Sequence, residues 1–230
     1  MRCPFWIIAA GLTCAAQVLD YFYLKTLRCE KPRQAVVWKA GASACFVLLG
    51  GVALLWGGLQ PTKLLIYFGL LFGFAGDVVL DFRYLYPKKH DLYFALGAAL
   101  FGLGHLCYIT ALLLQDASAW LFALPVCTVL LLIVKLYTVR RGVQAGKLLL
   151  PGTVYIAVTS YMASLAAAVA VRGFSTGTLL FAIGGALFLF SDSLLIAHSF
   201  GRERRFLQSM LLHIAYYLVQ CLIAAAIFAL

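Results

Sequence analysis

KLLIYFGLLFGFAGDVVLDF, residues 63–82, runs for 20 residues with one Lys at its head and two aspartates near its tail. As a helix it rises about 30 Å, the thickness of a bilayer's hydrocarbon core. In water such a helix would have to hide almost every side chain. In a bilayer its apolar residues are at home, and Asp77 and Asp81 become the anomaly. Composition decides between the two solvents. Of 230 residues, 64% are hydrophobic and only 11% charged, far less charge than the surface of a soluble domain of this length carries.

Seven further stretches match this one in length and apolarity, so the chain reads as an all-α, polytopic integral membrane bundle of eight transmembrane helices. The spans fall at 4–23, 37–57, 63–82, 92–114, 119–138, 149–171, 177–199 and 207–229, in a single domain covering 1–230. The first run, Pro4 to about Phe22, is too long for the apolar core of a cleavable signal and lacks a small-residue cleavage site, so it reads as a span. Pro4, Pro61 and Pro151 sit at span starts, where a missing N–H costs nothing, whereas Pro125 falls inside the fifth span as a candidate kink. The seven Cys show no CxxC spacing and read as free thiols.

Charge tests the count independently. Loops after the first, third, fifth and seventh spans hold 14 of the 18 Lys and Arg, Glu203, Arg204 and Arg205 lying in the last of them. Lys135 can snorkel to the same side, and only Arg2, Lys63 and Arg172 lie on the other. By the positive-inside rule these basic loops are cytoplasmic and both termini are not. The net charge of +10 is therefore topology plus attraction to anionic lipid heads. With no folded basic domain, it carries no argument for a nucleic-acid partner.

Ionisable residues inside spans are rare and face the bundle interior or water. Of the eight acids, Glu30, Asp91, Asp116 and Glu203 fall in loops or at span ends and read as solvated, and Asp20 and Asp81 as interfacial. Asp77 and Asp192 remain, each roughly 8–11 Å from the inner boundary of its span at 1.5 Å per residue. Two carboxylates at one depth can face each other across a cavity. Other polar groups share that half of the bundle. Tyr93, Gly97, Phe101, His105 and Tyr108 recur every three or four residues along one face of the fourth span. The eighth span carries His213, Tyr216, Tyr217 and Gln220, and the second opens with Lys39. Taken singly, each has a plain role as an interhelical hydrogen bond or an interface tyrosine.

Three chemistries suit this set. An ion-relay transporter would use the acids, although no inverted repeat or paired broken helices accompany them. A zinc hydrolase would recruit His105, His198 or His213, although these lie on separate spans with no HExxH-type spacing. Metal-free acid–base hydrolysis would divide the roles of acid and base between two buried carboxylates. Ser191 and Ser193 flank Asp192, but nothing resembles GxSxG.

Five ordered motifs bear on the choice: Lys39; Gly76-Asp77; Tyr93, Gly97, Phe101, His105 and Tyr108 at their fixed spacing; Ser191-Asp192; and Tyr216-Tyr217 with Gln220. Across nearly the whole chain they resemble the YhhN-type lysoplasmalogenases, membrane enzymes of eight spans. Ala40 and Val219 stand where that family commonly has Pro and Ala, and neither change removes a polar group. The resemblance implies hydrolysis of the vinyl ether bond of a lysophospholipid substrate without cofactor or metal. Asp77 and Asp192 would be catalytic, while Lys39, Tyr93, His105, Tyr108, Ser191, Tyr216, Tyr217 and Gln220 would bind or position the substrate. The site would open toward the cytoplasmic side of a bacterial inner membrane or a eukaryotic endomembrane.

Overall fold

The computed structural model describes residues 2–202 and 206–230, Arg2 and Cys3 by their backbone alone. The expected roles of the Arg2 and Cys3 side chains, and of Glu203, Arg204 and Arg205, lie outside the described residues. Eight long helices account for nearly all the rest: α1 (Arg2–Arg28), α2 (Pro32–Gly57), α3 (Pro61–Leu85), α4 (His90–Gln115), α5 (Ala119–Arg140), α6 (Leu149–Arg172), α7 (Thr176–Phe200) and α8 (Phe206–Ala229). Each contains one of the sequence-derived spans and is long and apolar enough to cross a membrane. The first three overrun their spans by several residues because Lys and Arg continue the helix into the head-group zone, where the backbone bonds itself whether or not the side chains are apolar, and the others match theirs closely. The α5 helix runs through Pro125 as one element.

Consecutive helices alternate in direction, which gathers the loops into two groups. At one end the Arg28 guanidinium lies 3.4 Å over the Phe206 ring. The Gln144 and Arg202 amides there bond to Phe200 O and Arg141 O across the last two loops. At the other end Phe5 of α1 stacks on Phe228 of α8 with centroids 4.0 Å apart. Lys63 does not reach out to solvent: it is buried, and its ammonium donates to Gly57 O at 2.7 Å. The same end carries Asp116, which sequence reading leaves solvated. Arg172 Nε donates to its Oδ2 at 2.5 Å and Ser118 Oγ to its Oδ1 at 2.7 Å. The bond from Arg172 pulls this carboxyl down to about 2, so the clamp tying the α4–α5 turn to the end of α6 stays charged.

The α3, α4, α6, α7 and α8 helices form a closed ring, with α1 and α2 packed on its α8–α3 side and α5 on its α6–α7 side. The α8 helix is the most enclosed, whereas much of α5 faces outward. Between α4 and α5 there is almost no contact. Lipid tails are as apolar as Leu, so helices in a bilayer associate by close packing at small residues. The tightest pair, α3 and α4, shows this: a Cβ on Gly97 would lie 3.0 Å from Leu80 Cα, and one on Gly104 would lie 3.0 Å from Gly69 O.

This packing makes a direct prediction. Gly97→Ala meets backbone that no rotamer change can move aside and should cost about 1–3 kcal/mol. Gly102, where a Cβ meets nothing within 4 Å, is the control, and Gly102→Ala should be neutral or slightly stabilising. Thermal unfolding in detergent micelles, comparing the two variants, checks the difference.

Candidate functional site

Asp77 lies in the third quarter of α3, one residue past Gly76, whose missing side chain lets the Phe101 ring of α4 approach. Its carboxylate is 1% exposed and collects donors from two other helices. Lys39 Nζ of α2 is 3.3 Å from Oδ1. Ser43, one turn on from Lys39, donates to Oδ2 at 2.5 Å, and Tyr216 of α8 donates to the same oxygen at 2.8 Å. Each hydroxyl has a single hydrogen and gives it to Asp77, so each must in turn accept. Tyr217 Oη is 3.3 Å from Ser43 Oγ, and Gln220 Nε2 donates to Tyr216 Oη at 2.9 Å. Lys39 also lies 5.0–5.4 Å from the ring centroids of Tyr23, Tyr216 and Tyr217, where aromatic faces attract a cation. An ammonium ion, two hydroxyls and one carboxylate thus satisfy one another deep in an apolar bundle.

Asp192 on α7 is built differently. Tyr155 of α6 donates to its Oδ2 at 2.7 Å, and His105 Nε2 of α4 is 3.9 Å from the same atom, beyond hydrogen-bond reach. His105 Nε2 is instead 3.3 Å from Tyr155 Oη. Because the tyrosine's hydrogen goes to Asp192, the network assigns the imidazole hydrogen to Nε2, giving a chain from His105 through Tyr155 to Asp192. The imidazole packs edge-on against Phe188 at 4.6 Å, and its Nδ1 is buried without a partner. Asp77 therefore sits beside a lysine, whereas Asp192 sits beside a tyrosine hydroxyl and, farther off, an imidazole.

Both acids line one cavity of about 70 Å³, with Lys39, Arg83, Ser191, His213 and Tyr216 also on its wall. That volume holds several waters at about 10–15 Å³ each. Asp20 and Asp81, expected at the interface, are buried instead at 2% and 1% exposure. Asp20 accepts from His213 Nδ1 at 3.0 Å, and Asp81 accepts from Tyr23 at 3.3 Å. The α1 helix runs on to Arg28 and α3 to Leu85, past the expected boundaries, so residues near a span end by hydropathy still lie within the packed bundle. Arg83 is buried too, donating to Tyr84 Oη at 2.9 Å, and its Nε has no partner.

The other residues read from sequence divide. Tyr216, Tyr217, Gln220 and Lys39 form the Asp77 cluster, and His105 belongs to the Asp192 cluster. Tyr108 is buried above His105, its ring filling the space left by Gly69. Ser191 Oγ donates to Leu212 O at 3.3 Å, stitching α7 to α8 beside the cavity. Tyr93 stands apart at the basic end, stacked on Tyr86 with centroids 5.6 Å apart. Among the described residues no three His, Cys, Asp or Glu converge as metal ligands: His105 sits by Asp192, and His213 by Asp20. Two partners escaped the sequence reading. Ser43 carries a readable signal, four residues after Lys39 on the same helix face. Tyr155 carries little, because one tyrosine among Thr159 and Ser160 in α6 does not show which it will aim at another helix.

The model of the YhhN family matches residues 34–227, a stretch holding every residue of the Asp77 and Asp192 clusters except Tyr23. No curated protein and no solved structure matches the chain.

The ion pair yields a coupling prediction. Lys39→Met leaves a buried carboxylate without its cation and should destabilise by about 3–5 kcal/mol. Adding Asp77→Asn removes the orphaned charge, so the double variant should recover much of that loss. A double-mutant cycle from unfolding in micelles measures the non-additivity.

Proposed function

The chain belongs to the YhhN family, and from that premise we propose that it hydrolyses the vinyl ether bond of lysoplasmalogens, releasing a fatty aldehyde and glycerophosphoethanolamine or glycerophosphocholine. One observation carries the reading: two carboxylates in unlike surroundings face a single small cavity inside a lipid-embedded bundle.

Vinyl ether hydrolysis begins with protonation of carbon. A proton adds to the β-carbon of the double bond, the ether oxygen takes up the positive charge as an oxocarbenium ion, and water adds to the adjacent carbon. The resulting hemiacetal collapses, breaking the bond to the glycerol oxygen. The steps need a proton donor, a base for the water and a fixed negative charge. Asp77, held by Lys39, Ser43 and Tyr216, suits the fixed charge, because every one of its donors favours the carboxylate form. Asp192 accepts from one hydroxyl, that of Tyr155, and has an imidazole rather than a lysine 3.9 Å away, and it suits the mobile proton. It would give that proton to carbon, take one back from the attacking water, pass it to the departing glycerol oxygen, and recover the hemiacetal's hydroxyl proton as the carbonyl forms. No proton is gained or lost over the cycle. Tyr155 and His105 would hold the Asp192 carboxyl in position. Arg83, with its unpartnered Nε on the cavity wall, would meet the head-group phosphate, since Lys39 is engaged by Asp77. The cavity lies in the half of the bundle nearer the basic loops, which by the positive-inside rule is the cytoplasmic half.

Purified protein given a lysoplasmalogen should release aldehyde. Asp192→Asn and Asp77→Asn should each lose about 10²–10⁴ in kcat/KM, and Tyr155→Phe about ten- to a hundredfold. In heavy water the aldehyde should carry one deuterium on the carbon next to the carbonyl, the mark of protonation at the β-carbon. No aldehyde from folded wild type, or full activity in both folded Asn variants, overturns the reading.

A further inference from the structure

A second cavity, about 170 Å³ and mostly apolar, opens beside the polar one. Its walls come from the first turns of α4, the last turns of α5, the start of α6 and the end of α7, through residues such as Phe94, Ala98, Leu131, Val134, Gly152 and Ile156. It exists because α4 and α5 barely touch, leaving a lengthwise gap between two helices that both pack on α6. Residues of α5 facing away from it, Leu132, Ile133 and Leu136, are exposed apolar side chains of the kind that meet lipid. A groove bounded by such a helix opens onto acyl chains.

The two cavities adjoin. Leu80, Phe101, Asp192 and Leu195 line both, so the apolar groove ends where the polar cavity begins. Asp192 and its donor Tyr155 stand at that junction. A molecule filling both spaces would place its apolar portion between α4 and α5, its polar portion beside Arg83 and Lys39, and the bond between them next to Asp192. That order matches a single-chain amphiphile whose reactive bond joins chain to head.

The geometry points to the groove between α4 and α5 as the binding site for the single aliphatic chain of the substrate, entered sideways from the bilayer with its reacting end at Asp192. The inference rests on the proposed lysolipid reading and adds where the chain lies and what limits its length. A second chain would have to share the same narrow gap, so the groove also favours lysolipids over two-chain lipids. Chain burial should contribute about 0.8 kcal/mol per methylene. Displacing about two methylenes therefore weakens binding about tenfold.

Gly152 offers a clean probe, since a Cβ there meets nothing within 4 Å. Gly152→Leu starts from an open Cβ position and fills groove space, and Ala98→Leu narrows it from the α4 wall. Each should lower the ratio of kcat/KM for hexadecenyl over decenyl lysoplasmalogen about tenfold. In proteoliposomes, an alkyl-ether lysophosphatidylethanolamine with a diazirine at its chain end should label groove residues such as Leu131, Val134 and Ile156. Gly152→Leu should reduce that labelling. Labels confined to the outward faces of the helices, or an unchanged chain-length ratio in folded variants, would overturn the groove. Labelling is read without turnover, so the two ideas fail separately. Groove labels without aldehyde sink the hydrolase reading alone, and aldehyde with labels elsewhere sinks the groove alone.

Discussion

Four carboxylates, Asp20, Asp77, Asp81 and Asp192, are buried among eight apolar helices, and each draws a donor from a helix other than its own. A charge taken out of water is costly unless it is paired and hydrogen-bonded. That cost fixes much of the architecture. Asp77 ties α3 to α2 and α8, Asp192 ties α7 to α6, and the other two tie α1 to α8 and α3. Close packing at Gly69, Gly97 and Gly104 holds α3 against α4, while the polar groups join other pairs of helices and help define which faces meet.

The same pairing separates the acids chemically. Lysine, serine and tyrosine converge on the Asp77 carboxyl. Asp192 faces a tyrosine and, farther off, an imidazole. In both clusters a tyrosine hydroxyl donates to the acid while accepting from another side chain, Gln220 for Tyr216 and His105 for Tyr155. Such chains fix the direction of each hydrogen and so the lone pairs presented to the cavity. A site that must hold one negative charge still while moving one proton has use for that division of labour.

Position in the membrane matters as much as the acids. The polar cavity would be of small use to a lipid enzyme if reached only from water, because a lysolipid would have to leave the bilayer entirely. Under the proposed lysolipid reading, the gap between α4 and α5 would remove that requirement. It arises from a packing choice: α5 leans on α6 and α7 and leaves α4 uncovered. An element that stabilises little of the core thereby shapes access to it.

The number of helices, their approximate ends and the basic end of the bundle were legible in the chain, because solvent partition depends on the composition of short windows and on local charge, both one-dimensional quantities. Asp77, Asp192 and their neighbours Lys39, His105, Tyr216 and Gln220 were legible as candidates for the same reason, since polar groups in apolar runs are costly wherever they lie. Their partners were not. Tyr155 became the donor to Asp192 through the rotation of one helix against another, Asp81 and Asp20 are enclosed because their helices run on past the expected ends, and Tyr93 stays at the basic end in the first turn of α4. Helix rotation is set by which small residues and which donors meet across the bundle, and no local window contains both sides of such a contact. Composition along the chain determined that this protein lives in a membrane with acids inside it. Only the packing of α3, α4, α6, α7 and α8 into a ring decided which groups those acids face, and left the apolar groove ending at Asp192.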